Sequence, residues 1–103
     1  MLGGEAEAIA EAVPGRLEVR AAAARCAILG DATRLRLLAV VRAAGEIATA
    51  DLATLAQVER TVISHHMRRS RLAGLVKRQP SGKLAMYSLT RAGKEMLEAV
   101  LPE

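Results

Sequence analysis

The sequence predicts a single, mainly helical domain with one small β-hairpin, and three observations lead to this fold class. The 103 residues leave room for one hydrophobic core, so residues 1–103 are expected to form one domain. Hydrophobic residues make up 51% and charged residues 25% of the chain, which is the balance of a soluble globular protein. Apolar residues recur at helical spacing along most of the chain, whereas two short alternating segments flank the turn-forming residues Pro80-Ser81-Gly82.

Two helices are expected before residue 30. Residues 5–13 are rich in Ala and Glu, and Pro14-Gly15 breaks that helix because proline lacks an amide hydrogen and glycine loosens the backbone. Residues 16–29 predict a second helix with apolar side chains on two sides. Because both sides must be buried, this helix needs two packing partners.

A third helix and a short extended segment follow. Asp31 is a good N-cap for a largely buried helix, which Gly45 closes. The next residues, Glu46-Ile47-Ala48, are too few for anything but an edge strand.

A helix-turn-helix is expected over residues 49–74. Thr49 is a candidate cap for a short helix to about residue 56, and after a turn at Gln57-Val58 a second helix covers residues 60–73. Two helices joined by so short a turn have the spacing of this motif.

A hairpin and a last helix complete the chain. Residues 75–79 and 84–89 alternate like strands on either side of the turn, with Lys83 beside its tip. Thr90 is a candidate cap for a helix to about residue 101. Four apolar residues of that helix are too many to leave exposed in so small a protein: Met96, Leu97, Val100 and Leu101.

Basic residues are concentrated in one window of the sequence. From Arg60 to Lys83 there are seven basic residues and no acid, whereas the other 79 residues hold eight basic and eleven acidic side chains, a balance of −3. A mildly acidic body with one strongly basic segment suggests a polyanionic partner. The alternative is an ordinary solvated helix face.

Helical geometry favours the polyanionic partner. At 100° per residue, one arc of about 140° on the helix at 60–73 is entirely polar: Arg60, Thr61, Ser64, His65, Arg68 and Arg71. The opposite side, with His66 among apolar residues, is expected to pack on the preceding helices. Guanidinium groups grip guanine edges or phosphates, and small hydroxyls allow close approach to the groove floor. Arg78 and Lys83 on the hairpin would reach phosphates or the adjacent minor groove.

The motifs occur in an order that resembles the ArsR/SmtB family of winged-helix repressors. The resemblance covers about residues 20–92 and is carried by these segments: Leu29-Gly30-Asp31-Ala32-Thr33-Arg34-Leu35-Arg36-Leu37-Leu38, Asp51-Leu52-Ala53, Val62-Ile63-Ser64-His65-His66-Met67, Ala73-Gly74-Leu75-Val76, Gly82-Lys83 and Tyr87-Ser88-Leu89. It implies a winged helix-turn-helix with a two-stranded wing at 75–89. It also implies a homodimer that represses transcription from palindromic operators, with the terminal helices, at 1–29 and 90–103, in the dimer interface.

The resemblance also implies that an effector, a metal, a metalloid or a thiol oxidant, releases the repressor from DNA. The sequence departs from the family pattern at the turn of the helix-turn-helix and at the sites that bind such effectors. Gln57 and Glu59 stand where the family usually has Gly and a Ser or Thr cap, and Ser70 replaces a usual leucine. The family's paired cysteines and its Asp and His ligands in the last helix are missing, so no metal site and no cofactor are expected. Cys26 has two interpretations, a small buried apolar residue or a redox or thiophilic sensor.

Several other classes of protein are not expected. No stretch without a charged residue approaches the roughly 20 residues of a membrane span, and the acidic N-terminus does not resemble a secretory signal. A lone cysteine fits the cytoplasm. Ser64 and His65 are neighbours about 100° apart on a helix and cannot form a nucleophile and base pair, so an enzyme is not expected. A winged helix that binds only proteins is the alternative function, and the effector and operator stay open.

Overall fold

Six helices and three strands make up the computed structural model, which describes residues 3–103. In chain order they are α1 (Gly4–Ala12), α2 (Arg16–Leu29), α3 (Ala32–Ala44), β1 (Ile47–Ala48), α4 (Thr49–Ala56), α5 (Arg60–Leu72), β2 (Val76–Ser81), β3 (Leu84–Leu89) and α6 (Arg91–Val100). The mainly helical fold class with a helix-turn-helix, α4 and α5, and a β-hairpin, β2 and β3, is confirmed.

Two of the three predicted helix caps form as expected. The Asp31 carboxylate accepts a hydrogen bond from the Arg34 amide at 2.8 Å, and the Thr90 hydroxyl accepts one from the Gly93 amide at 3.0 Å. The prediction that Thr49 caps α4 is wrong, because Thr49 is already the first helical residue. Ala48 holds the cap position without a side-chain hydrogen bond, since β1 runs directly into the helix.

The sheet has three antiparallel strands in the order β1-β3-β2. The short edge strand predicted at residues 46–48 is confirmed, and it extends the two-stranded wing by one strand. Tyr87 lies opposite Ile47 on one side and opposite Arg78 on the other. This pairing fixes the hairpin against the helical body.

The core collects the buried faces of α3, α4, α5 and α6 around the base of the sheet. Its completely enclosed side chains are Leu37, Leu38, Val41, Leu52, Ile63, Met67, Leu75, Val76 and Leu97. Helix α6 contributes Leu97, 1% exposed, whereas Val100 at the end of the same helix is 52% exposed. The last helix therefore has one apolar residue for the core and another that this chain leaves uncovered.

The N-terminal part of the chain extends away from the core and gives the molecule dimensions of 61 × 25 × 21 Å. In α2 only Leu29 is buried, and α3 is its main partner within residues 3–103, so much of the apolar surface that its sequence predicts stays uncovered. Cys26 is exposed. The interpretation of Cys26 as a buried core residue is therefore wrong for the single chain, because the helix contacts the core only near its end.

Candidate nucleic-acid interface

Helix α5 presents its polar arc to solvent and packs its other side, as the sequence predicted. All six predicted residues of the arc are exposed: Arg60, Thr61, Ser64, His65, Arg68 and Arg71. On the opposite side Ile63 and Met67 are fully enclosed. The core contacts of α5 therefore determine which side chains are available to a partner.

Ser70 lies on the buried side of α5 although it is polar. Its hydroxyl donates a hydrogen bond to the backbone carbonyl of His66 at 2.9 Å, so burial leaves no unsatisfied donor. This intrahelical bond explains how serine is accommodated where the family usually has leucine.

The turn between α4 and α5 carries both of the departures from the family pattern that the sequence shows at this point. Gln57 adopts a left-handed conformation with φ of 57°, and Glu59 caps α5 without a side-chain hydrogen bond. Arg36 supports the turn from α3, because its Nη1 donates to the Ala56 carbonyl at 2.8 Å. Helix α5 thus starts from a turn held by a long-range contact as well as by local ones.

A shallow depression between α5 and the wing brings four predicted contact residues together. Ser64, Arg68 and Arg71 line it from α5, and Arg78 lines it from β2. No acidic residue lines this depression. Within residues 3–103, ion pairs involve Arg42 and Arg91 and leave these three arginines unneutralised. The depression can therefore accommodate an anionic backbone or the edge of a base.

The other four predicted residues are exposed but do not line the depression. Arg60 and Thr61 lie in the first turn of α5, and His65 is exposed elsewhere on the same helix. Lys83 is exposed in the tight turn after Gly82, at the tip of the wing. The predicted contact residues are therefore distributed over α5 and the wing, and four of the eight meet at the depression.

Three residues that line the depression were not predicted as site residues: Thr49, Ala85 and Tyr87. The sequence assigned Thr49 to capping, and its place just before the helix-turn-helix was the available signal. Tyr87 could be found only from the strand register, which turns the middle of β3 toward α5.

His66 lies on the buried side of α5, as predicted, and is 8% exposed. Burial lowers the pKa of its imidazole, the nearby Arg34 charge lowers it further, and the Asp31 carboxylate partly opposes both. Arg34 is itself 4% exposed and was not singled out in the sequence. A charged residue in a largely buried helix was the signal that could have identified it.

Metal-ligating side chains do not cluster in the part of the chain that the structure describes. Among residues 3–103 there is no group of three His, Cys, Asp or Glu residues placed to hold a metal ion. Across these same residues, no helix has both the length and the apolar character needed to cross a bilayer.

Known proteins with related sequences and folds are regulators of transcription. No model of a protein family matches the chain. A cadmium resistance transcriptional regulatory protein, a CadC homologue of Staphylococcus aureus, is 34% identical over 61 residues, which are 59% of this chain and 50% of that protein. The chain thus matches half the length of this curated relative.

Solved structures resemble the chain over a larger part of its length. A possible transcriptional regulator for arsenical resistance is 30% identical, with a TM-score of 0.65 over 74% of this chain and 78% of the other. The homodimeric winged helix-turn-helix DNA-binding domain Mb0332 of Mycobacterium bovis, a possible ArsR-family regulator, is 21% identical. It has a TM-score of 0.75 over 85% and 86% of the two chains. This second likeness shows the fold.

Proposed function

The chain belongs to the ArsR/SmtB family of winged-helix regulators, and from this premise we propose that it is a dimeric repressor of transcription that binds double-stranded DNA. The observation that carries the proposal is the depression between α5 and the wing, which is lined by four of the eight residues predicted as DNA contacts and by no acid. All eight side chains are exposed, and no ion pair within residues 3–103 neutralises their arginines. A DNA partner fits a cytoplasmic location.

Helix α5 is the element proposed to enter the major groove. Its exposed arc offers Arg60 and Arg68 for base edges, with Thr61 and Ser64 small enough to let the helix approach the groove floor. Arg78 and Lys83 on the wing would contact phosphates or the adjacent minor groove. Base contacts then supply specificity, and the wing supplies affinity that depends little on sequence.

A dimer would place two copies of α5 on one operator. The exposed apolar residues of α2 and α6 are the surfaces proposed for the interface, because Leu17 and Val19 of α2 and Val100 of α6 are left largely uncovered by the single chain. A two-fold axis would separate the two half-sites by about one helical turn of DNA and make the operator palindromic.

The effector is proposed not to be zinc. One cysteine per chain gives at most two thiolates per dimer, and structural or sensing zinc sites take about four ligands in all. Cys26 is exposed in the single chain but lies on α2, the helix proposed for the dimer interface, so its accessibility to oxidants or soft metals depends on where that interface runs. The name of the cadmium-resistance relative concerns that protein, and its ligand is not transferred to this chain.

The experiment that tests the proposal has two steps. Operators are first selected from a random duplex pool, and binding is then measured by fluorescence anisotropy at several salt concentrations. We expect a palindromic consensus and an affinity that falls linearly with salt on a logarithmic scale, with a slope set by the number of phosphate contacts. A chain that selects no sequence and shows no salt-dependent binding to any duplex would instead be a protein-interaction module.

A further inference from the structure

Two polar side chains are buried on α3 and α5, two helices that pack against each other. Arg34 of α3 is 4% exposed and His66 of α5 is 8% exposed. Within residues 3–103, Arg34 Nε and His66 Nδ1 are the buried side-chain atoms that have no hydrogen-bond partner. Buried polar atoms are nearly always paired, so this coincidence needs an explanation.

The two unpaired atoms are chemically complementary. Arg34 Nε–H can only donate a hydrogen bond, and Nδ1 of a neutral imidazole protonated on Nε2 can accept one. The two groups are close enough for the charge of Arg34 to act on the imidazole. A direct hydrogen bond or one shared buried water would satisfy both atoms.

Arg34 is also attached to the helix that precedes α3. Its Nη1 donates to the Ile28 carbonyl in α2 at 3.0 Å, and its amide donates to the Asp31 carboxylate at 2.8 Å. One guanidinium is therefore bonded to the end of α2 and is close enough to His66 of α5 for its charge to lower the pKa of that imidazole. Helix α2 is proposed to form the dimer interface, whereas α5 is proposed to contact DNA.

We propose that Arg34 and neutral His66, with Asp31, form a buried unit that positions the recognition helix relative to α2, and that protonation of His66 weakens DNA binding by disrupting it. This inference rests on the proposed function. An imidazolium has no acceptor for Arg34 Nε–H and would place a second positive charge beside the guanidinium.

The charged neighbours of His66 support this direction. Arg34 and Asp31 face it from α3, while His65 and Arg69 are its neighbours on α5. One carboxylate thus opposes two permanent positive charges and a second imidazole. Burial and the Arg34 charge both lower the pKa of His66, so the ring stays neutral near pH 7.

The sign of the pH effect on stability follows from the lowered pKa. Below about pH 6.5 the unfolded chain takes up a proton on His66 before the folded chain does. Stability from neutral His66 is therefore complete above that pH and is lost as the pH falls toward the folded pKa. Removing the Arg34 charge should raise the pKa of His66 in the folded chain and so reduce the loss of stability in acid.

The DNA-binding test compares variants from pH 8 to pH 5.5 at constant ionic strength. All carry His65→Gln, which leaves His66 as the one histidine of the 103-residue chain. With His66 intact we expect affinity to fall about tenfold, the loss of roughly one base contact. His66→Asn places an amide oxygen near the position of Nδ1 and does not titrate, so it should keep the affinity at pH 8 and bind equally at pH 5.5. If the His66→Asn variant loses as much DNA affinity between pH 8 and pH 5.5 as the protein with His66 does, the proposal is overturned.

A second measurement needs no DNA and separates this inference from the proposed function. Thermal unfolding of the wild type and of Arg34→Met is followed over the same pH range, while NMR monitors the His66 ring in the wild type. We expect the ring to titrate below its ordinary range and Arg34→Met to lose less stability in acid. A ring that titrates normally, or identical pH profiles for the two proteins, overturns the proposal even if the wild type binds DNA.

Discussion

Gly93 of α6 lies against the backbone of Leu75, so close that a β-carbon at position 93 would overlap the Leu75 carbonyl oxygen. The same oxygen accepts a hydrogen bond from the Thr90 amide at 3.0 Å. The Thr90 hydroxyl also donates to the Gly74 carbonyl at 2.6 Å. These contacts join the start of α6 to the segment that leads from the recognition helix into the wing.

Gly93→Ala should therefore destabilise the protein. The added methyl group must push α6 away from a backbone atom that cannot rotate aside, and overpacking of this kind costs about 1–3 kcal/mol in the free energy of unfolding. Urea denaturation measures the loss. Gly4→Ala is the matched control, because a β-carbon there meets no atom within 4 Å. Equal stability of the two variants would show that α6 shifts without cost.

Gln57→Gly should stabilise the protein by about 0.5–1 kcal/mol. Gln57 has φ of 57°, a left-handed conformation that costs a residue with a β-carbon about 1–2 kcal/mol, and the greater chain entropy of glycine offsets only part of the gain. Denaturation midpoints measure the difference. Gln79→Gly, in an exposed position of β2, should lower stability instead. A loss at position 57 would mean that the Gln57 side chain makes a stabilising contact.

The order of the elements could be predicted from the sequence because local signals determined it. Asp31 and Thr90 cap helices with their own side chains, and Gly82 turns the hairpin. The sequence predicted β1, the third strand, only as a short edge strand and did not identify the strand that it pairs with. Its partner depends on the register between Ile47 and Tyr87, which no local pattern encodes.

The sequence predicted which side chains of α5 are exposed. It did not predict the depression that they form with the wing. Periodicity alone separates Arg68, which is exposed, from Met67, which is buried. It does not show that Arg78 from the wing meets Arg68 at one depression, because that depends on how the hairpin packs. The exposure of Cys26 was missed for a related reason, since helical spacing cannot tell which apolar side of α2 has a partner within the chain.

Arg60→Ala and Arg68→Ala should each weaken binding to the selected operator by about 1–3 kcal/mol, with a smaller effect on random duplex, if these side chains reach base edges. Anisotropy titrations on both duplexes measure the two effects. Arg16→Ala removes the same charge from α2, remote from this surface, and serves as the control. Wild-type affinity in both α5 variants would contradict the placement of α5 in the groove.

Lys83→Ala should behave differently from the α5 variants. A contact between the wing tip and a phosphate carries no sequence information, so affinity should fall by a similar factor on operator and random duplex. The slope of affinity against salt should decrease by about one unit, because one fewer counterion is released. Lys94→Ala, on the exposed side of α6, is the matched control. A loss confined to the operator would instead make Lys83 a base-reading residue.

Val100→Asp should weaken the proposed dimer without unfolding the chain. Val100 is 52% exposed at the end of α6, so a carboxylate there meets water in the single chain and an apolar surface only in a dimer. Sedimentation velocity at micromolar concentrations measures the dissociation. Ala99→Asp adds the same charge to an exposed neighbouring position near the same helix end and controls for the unfavourable helix dipole.

Leu97→Asp separates the interface from the core within the same helix. Leu97 is 1% exposed, and a buried carboxylate without a partner should lower the melting temperature of the chain itself. Val100→Asp should give a monomer that melts as one cooperative unit, whereas Leu97→Asp should lose cooperative melting. A dimer that survives Val100→Asp with unchanged affinity would exclude the end of α6 from the interface, and the uncovered apolar side of α2 would then have to supply it.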